Sequence, residues 1–292
     1  MMKKLSTLLL LILLVVNTSC SEKQTKLLLG GSGLNKVMII DKATQSVEWE
    51  YPLEKNWECN SVCFTPQGNI LFSYRRGAME VDENHQIVWN IQAPEGCEMQ
   101  TASVLENGNY LLAYTGHPAV IMEVDKNGEI LSQTNYETGV KNCHAQFRQI
   151  VKKENNYLVP VMGASEVREI SKEGEVLSTI KAEGNLFTVK MIDNTMGWIS
   201  CGDAHKLLKV NMATGEVLKQ FKQDDIEGCK LCFVAGIKDS EKGNLYLCNW
   251  QGHSGKVNKI SSLIEIDKEG KIIWQLNPDL TSLISSVDIA MR

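Results

Sequence analysis

No long apolar run beyond its opening residues, no basic stripe, no helical periodicity and no complete catalytic motif occur in this 292-residue chain. After residue 16, no apolar stretch approaches the roughly 20 residues that a membrane helix needs. Lys and Arg number 30 against 35 Asp and Glu. The resulting acidic balance, without a basic cluster, leaves no electrostatic footprint for nucleic acid. The apolar positions lack a 3.6-residue stripe, which excludes helical and leucine-rich repeats. There is no phosphate-binding glycine loop, nucleophile elbow or HExxH sequence, and Gly30-Gly31-Ser32-Gly33 reads as a lone loop cluster. With 43% hydrophobic residues the chain nevertheless has enough apolar material for a globular core.

The opening residues, 1–20, read as an export signal. Lys3 and Lys4 precede an apolar run from Leu8 to Val16, followed by Asn17, Thr18, Ser19 and Cys20. As a helix that run rises only about 14 Å, too short for a bilayer core of roughly 30 Å. The segment resembles a bacterial lipoprotein signal, in which the cysteine after small residues is lipidated. The resemblance implies a signal peptide over 1–19, a lipidated Cys20 with a tether over 20–25, and a folded domain over 26–292. It also implies attachment to the cell envelope, on the outer membrane, by lipid alone.

Six copies of one pattern follow. Each has an apolar stretch ending in Asp or a substitute, a short polar turn, then an apolar pair often followed by Trp. The anchors are Asp41, Asp82, Asp125, Ser171, Asn211 and Asp267. Strand–Gly-Asn turn–strand units precede them at Ser61 and Thr101. Four short strands every 40–45 residues predict an all-β, six-bladed β-propeller of four-stranded antiparallel blades. We name the strands of each blade A to D from the axis outwards. Lys26–Leu29 matches a B strand, so the first blade lacks its A strand. The orphan SSVDIAMR from Ser285 resembles one, which predicts a ring closed by pairing the two chain ends. Recurrence marks Trp49, Trp89 and Trp274 as inter-blade packing, and Glu80, Glu123, Glu169 and Glu265 as residues serving each blade.

The D-x-A-T-x-x-x-x-W run at Asp41 is similar to repeats of pyrroloquinoline quinone (PQQ) dehydrogenase-like propellers. The TPxGNIL…MEVDENHQIVW run from Thr65 resembles repeats of arylsulfotransferase-like propellers. These likenesses cover nearly the whole domain at the level of scaffold, and a scaffold hosts many functions. The second implies a propeller-face histidine that takes a sulfuryl group; no family active-site motif matches residue by residue, and under that reading His144 is the candidate nucleophile, assisted by Arg75, Arg76 or His253. The first implies a quinone and a metal over the axis. This chain departs from that pattern in having six blades and no adjacent cysteine pair.

The A–B and C–D turns are short and uniform, whereas the B–C and D–A loops are longer and individual. The second set therefore forms the expected working face. His117, His205 and His253 fall in its B–C loops and His144 in a D–A loop, while His85 lies on the turn side. Cys59, Cys97, Cys143 and Cys229 each precede an A strand and are expected to ring the channel top, with Glu58, Glu98, His144 and Lys230 nearby. Thiolate and imidazole together suit a soft metal, and packing of small buried side chains is the alternative. Bridges between Cys59 and Cys97, or Cys97 and Cys143, stay open. In Cys229-Lys230-Leu231-Cys232, an extended backbone would send the two sulfurs to opposite faces. Arg75, Arg76, Trp57 and Trp250 complete a face suited to a small ligand, a glycan or an envelope protein, and no cofactor is implied.

Overall fold

The computed structural model describes residues 25–254 and 259–291; the signal peptide and lipidated Cys20 expected from the sequence lie outside the described residues. Six four-stranded antiparallel sheets are arranged around an axis. The A strands are Ser286–Met291, Val62–Phe64, Met99–Val104, Val151–Lys153, Val189–Met191 and Phe233–Asp239 for blades one to six. Blade one draws its A strand from the far end of the chain. Ser286–Met291 pairs with Thr25–Gly30 in continuous register, from Gly30 opposite Ser286 to Thr25 opposite Met291. Thr25, inside the span expected as tether, already pairs with Met291 in the closing strand.

The turns explain the repeated anchors. Asp82 Oδ1 accepts from the backbone N–H groups of Asn84 and Gln86, and Asp125 Oδ1 from those of Asn127 and Glu129. Ser171 Oγ, Asn211 Oδ1 and Asp267 Oδ1 hold their own turns in the same way. A short side-chain acceptor that satisfies turn N–H groups fixes the C–D reversal in each blade. A register shift precedes each anchor, for example between Glu80 and Val81 or Glu123 and Val124. Such a bulge strengthens strand twist, and its recurrence helps to fan the blades.

The B and C strands are buried on both faces because each blade packs between two neighbours. The buried apolar clusters accordingly lie at the blade boundaries. Leu28, Val37, Phe72 and Tyr74 join blades one and two. Tyr246, Leu263, Leu27 and Met38 join blade six to blade one and complete the circle. The tryptophans act across these boundaries. Trp49 Nε1 donates to the Glu83 carbonyl at 3.0 Å, Trp274 Nε1 to that of Lys42 at 3.1 Å, and Trp89 packs on Tyr110. The repeated carboxylates are structural ties as well. Glu123 pairs with Lys152 and Glu265 with Lys42, each at 2.6 Å, across adjoining blades.

One side chain secures the closing strand to both neighbours. Asp288 Oδ2 accepts from Phe64 N at 2.8 Å in blade two, and Oδ1 meets Lys238 Nζ at 2.6 Å in blade six. Asp288 is 6% exposed. Asp288→Ala leaves a buried N–H and a lysine without their acceptor, and should cost about 2–3 kcal/mol in a denaturant titration. Deletion of 284–292 should abolish the cooperative thermal transition altogether, by removing one whole strand and uncovering two blade boundaries.

Candidate functional site

The D–A loops of blades two to four bring their distinctive side chains together on the loop side. His144 sits in a single turn of 3-10 helix, Cys143–Ala145, whose N-cap Asn142 accepts from His144 N through its side chain. Fully buried Gln146 stitches this loop to blade three, donating to the Gly116 and Val140 carbonyls and accepting from Gly116 N at 2.8 Å. The loop is therefore held from below, with His144 projecting at the mouth.

At the centre is Glu98, whose side chain is 8% exposed. Its Oε1 meets Arg75 Nη2 at 2.6 Å. Its Oε2 meets His144 Nδ1 at 2.8 Å and Gln100 Nε2 at 3.0 Å. Burial alone would raise the Glu98 carboxyl, but His144 and Arg75 outweigh it and hold the group below its ordinary value. On the far side of the imidazole, Arg148 Nη2 lies 3.0 Å from His144 Nε2, and Arg148 Nη1 donates to the His144 and Phe147 carbonyls. Arg148 is buried; burial lowers its pKa, and the charges of Glu58 and Glu98 oppose that effect.

Arginine has no acceptor atom, so the Arg148 contact requires the lone pair on His144 Nε2. The ring proton then resides on Nδ1 and is donated to Glu98. Both ring nitrogens are thereby engaged. Glu58, Glu98 and His144 do bring three potential ligand atoms within 4.8 Å of one another, with Glu58 Oε2 3.9 Å from Nδ1. A cation bound there would need the Nδ1 lone pair while Arg148 uses that of Nε2, and neutral imidazole has only one. The adjacent Arg75 and Arg148 charges oppose a cation further. The donor set fits a metal poorly.

The other expected residues divide between this mouth and other parts of the ring. Trp57 stacks on Tyr74 at 4.1 Å and forms an aromatic wall. Arg76 is exposed. His117 faces the Lys141 carbonyl at 3.0 Å. His205, Trp250 and His253 form a second group across the ring. There His253 Nδ1 meets Asp203 at 3.0 Å, its ring lies edge-on to Trp250 and Phe233, and His205 Nδ1 contacts the Cys232 carbonyl. Exposed Lys230 belongs to the same blade-six region. His85, expected to be merely solvated, lies edge-on to Trp49 and Tyr51.

The four loop cysteines do not converge. Cys59 and Cys229 turn into two different blade-boundary cores, while Cys97 and Cys143 are half-buried near Glu98 and His144. All eight described cysteines are free thiols, so neither bridge considered from the sequence is present. Burial pushes the Cys59 thiol up to about 12 and raises Cys97 less far.

Beneath the site a polar layer crosses the axis. Asn60 Nδ2 donates to Gln100 Oε1 at 2.8 Å, and Gln149 Nε2 reaches the Asn60 carbonyl and Ser286 Oγ. Below this layer, an axial cavity of about 960 Å³ runs between the A strands towards the turn side, past Glu106, Asn107, Asp193 and Asn194. Sequence reasoning placed no site there. It also missed Gln100, Arg148 and Gln149. The repeated Cys-x-x-Gln spacing at Cys97–Gln100 and Cys143–Gln146 is the signal that would have drawn attention to the first of these.

Fold and site together define a six-bladed propeller with a buried, charge-compensated cluster at one mouth of its axis. The chain belongs to the Mal s 1 allergenic protein-like family, whose model matches residues 24–271. A protein of unknown function from Bacteroides caccae is 47% identical over 92% of this chain and 99% of its own, with a TM-score of 0.88. A catalytically inactive variant of virginiamycin B lyase from Staphylococcus aureus, solved with quinupristin, is 14% identical over 88% and 86% of the two chains, with a TM-score of 0.58. The WD40 propeller domain of Doa1 is 16% identical over 91% and 83%, with a TM-score of 0.61. The last two likenesses are of fold alone. The search of curated proteins gives no match. The family match and these structures support the β-propeller, and neither the PQQ-like nor the arylsulfotransferase-like resemblance is among what they show.

The lowered Glu98 carboxyl has a consequence for stability. A group whose folded pKa is depressed stabilises the fold above its unfolded pKa, and that contribution fades as pH falls through the folded value. The thermal midpoint of the wild type should exceed that of Glu98→Gln most at neutral pH. The gap should narrow below the ordinary carboxylate pKa, as read from melting curves between pH 7 and pH 3.

Proposed function

We propose that the protein is a lipid-anchored envelope propeller that binds a small polar ligand, a sugar or glycan component, at the Glu98–His144–Arg148 mouth without transforming it. The observation that carries this reading is the double engagement of His144. A histidine acting as nucleophile or general base needs a free ring lone pair, and Arg148 occupies it. What the site offers instead is recognition. The Arg75 side chain is 47% exposed and uses one nitrogen on Glu98, leaving further donors in its planar fork for an anionic or hydroxyl-rich group. The Trp57–Tyr74 stack supplies an apolar ring surface alongside.

The anchor fits this use. Thr25 opens its strand on the turn side, five residues after Cys20. A lipid at Cys20 would hold that side towards the membrane and leave the Glu98–His144 mouth facing away from it.

Binding of acidic and neutral mono- and disaccharides should be measured by calorimetry. Arg75→Ala and Trp57→Ala should each weaken the best binder at least tenfold, about 1.4 kcal/mol. His85→Ala, on the opposite side, should leave it unchanged. Equal affinity in all three variants refutes the site. Incubation with an aryl sulfate and a phenolic acceptor should give no transfer; turnover abolished by His144→Ala would replace the binding reading with the sulfotransferase one.

A further inference from the structure

We infer that Cys229 and Cys232 form a disulfide under oxidising conditions, making the blade-six loop a built-in redox-modification site. The loop departs from the extended run that its sequence suggested. Cys229 N donates to the Ile226 carbonyl at 3.0 Å across a tight turn, with Gly228 in the left-handed region at φ 81°. No strand pairing resumes until Phe233. The two sulfurs consequently share a neighbour. Both Cys229 Sγ and Cys232 Sγ lie 3.8 Å from one atom, the Lys230 carbonyl oxygen.

A third residue fixes this shape. Asn249 is fully buried and grips the loop at three points. Its Oδ1 accepts from Cys232 N at 2.6 Å, and its Nδ2 reaches the Lys230 carbonyl at 3.0 Å and Cys229 Sγ at 3.5 Å. One buried amide thus spans both cysteines, and bridging requires the two sulfurs to leave the shared Lys230 carbonyl and meet at about 2.05 Å.

The chemistry needs a partner disulfide as oxidant. One cysteine thiolate attacks it, forming a mixed disulfide and releasing one thiolate. The second cysteine then displaces the other half. The pair loses two protons and two electrons, and the oxidant gains two thiols. Burial pushes Cys229 up to about 12 and raises Cys232 as well, so little thiolate is present in the closed loop. Oxidation should therefore accompany folding, or wait for the loop to open.

The test refolds the full chain from denaturant in oxidised glutathione, alkylates remaining thiols and maps peptides from the soluble, folded fraction. The expected product is linked between residues 229 and 232, lighter by two hydrogens than the reduced form and restored by reductant. Cys97 and Cys143 should stay alkylatable, and Cys229→Ser should eliminate the link. In the oxidised form, amide exchange at Leu231 should slow at least tenfold, a change that Cys229→Ser/Cys232→Ser would not show on oxidation. Folded protein with both thiols free, a persistent glutathione adduct, or a link from either residue to another cysteine would overturn the inference.

Discussion

Two strands from opposite ends of the chain, zipped side by side, hold every other feature in place. A single blade is apolar on both faces and cannot bury itself. Only the pairing of Ser286–Met291 with Thr25–Gly30 turns a row of six blades into a circle in which each face is covered. Full burial of one large aliphatic side chain contributes roughly 1.5–3 kcal/mol, so the boundary containing Leu27, Leu29, Met38 and Leu263 supplies a stabilisation that an open ring would forfeit. The Asp288 clamp and Ser286 Oγ, which accepts from Val62 N, extend this closure into the second blade. The loop-side mouth inherits its geometry from that circle, because Glu98, His144 and Arg75 come from three connections that approach one another only when the blades are fanned at the closed angle.

The mouth itself is governed by the cost of burying charge. Arg148 is removed from water, which is tolerable only because carboxylates lie close and its N–H groups find the His144 and Phe147 carbonyls. That arrangement also dictates the state of the histidine. A guanidinium on one nitrogen and a carboxylate on the other leave a single consistent placement of the ring proton. The result is an imidazole held at both ring nitrogens, between a carboxylate and a guanidinium. This suits a surface that must present fixed hydrogen-bonding groups better than one that must pass protons.

The architecture was legible in the chain because it is repeated six times. Asp82 and Asp125 are informative together in a way that neither is alone, and the orphan Ser285–Arg292 segment made sense only once a blade was seen to lack a strand. The loop side was legible from its irregularity, and it led to Glu98, His144, Arg75 and Trp57. What escaped notice was what repetition cannot mark. Arg148 appears once, at the entry to an inner strand, and nothing local distinguishes it from a surface arginine; its burial follows from three blades meeting. Gln149 and Asn60 become partners only across 89 residues. The cysteines illustrate the opposite error. Their recurrence suggested a shared site, but side-chain direction sent Cys59 and Cys229 into separate cores. The backbone turn at Gly228, invisible in the spacing, set both Cys229 and Cys232 against the Lys230 carbonyl.

The first blade imposes an order on biogenesis. Its innermost strand, Ser286–Met291, is made after the strands of all the other blades, so no shorter nascent chain can complete the circle. Until residue 291 arrives, the exposed flanks of the first and sixth sheets have no natural cover and invite association with other chains.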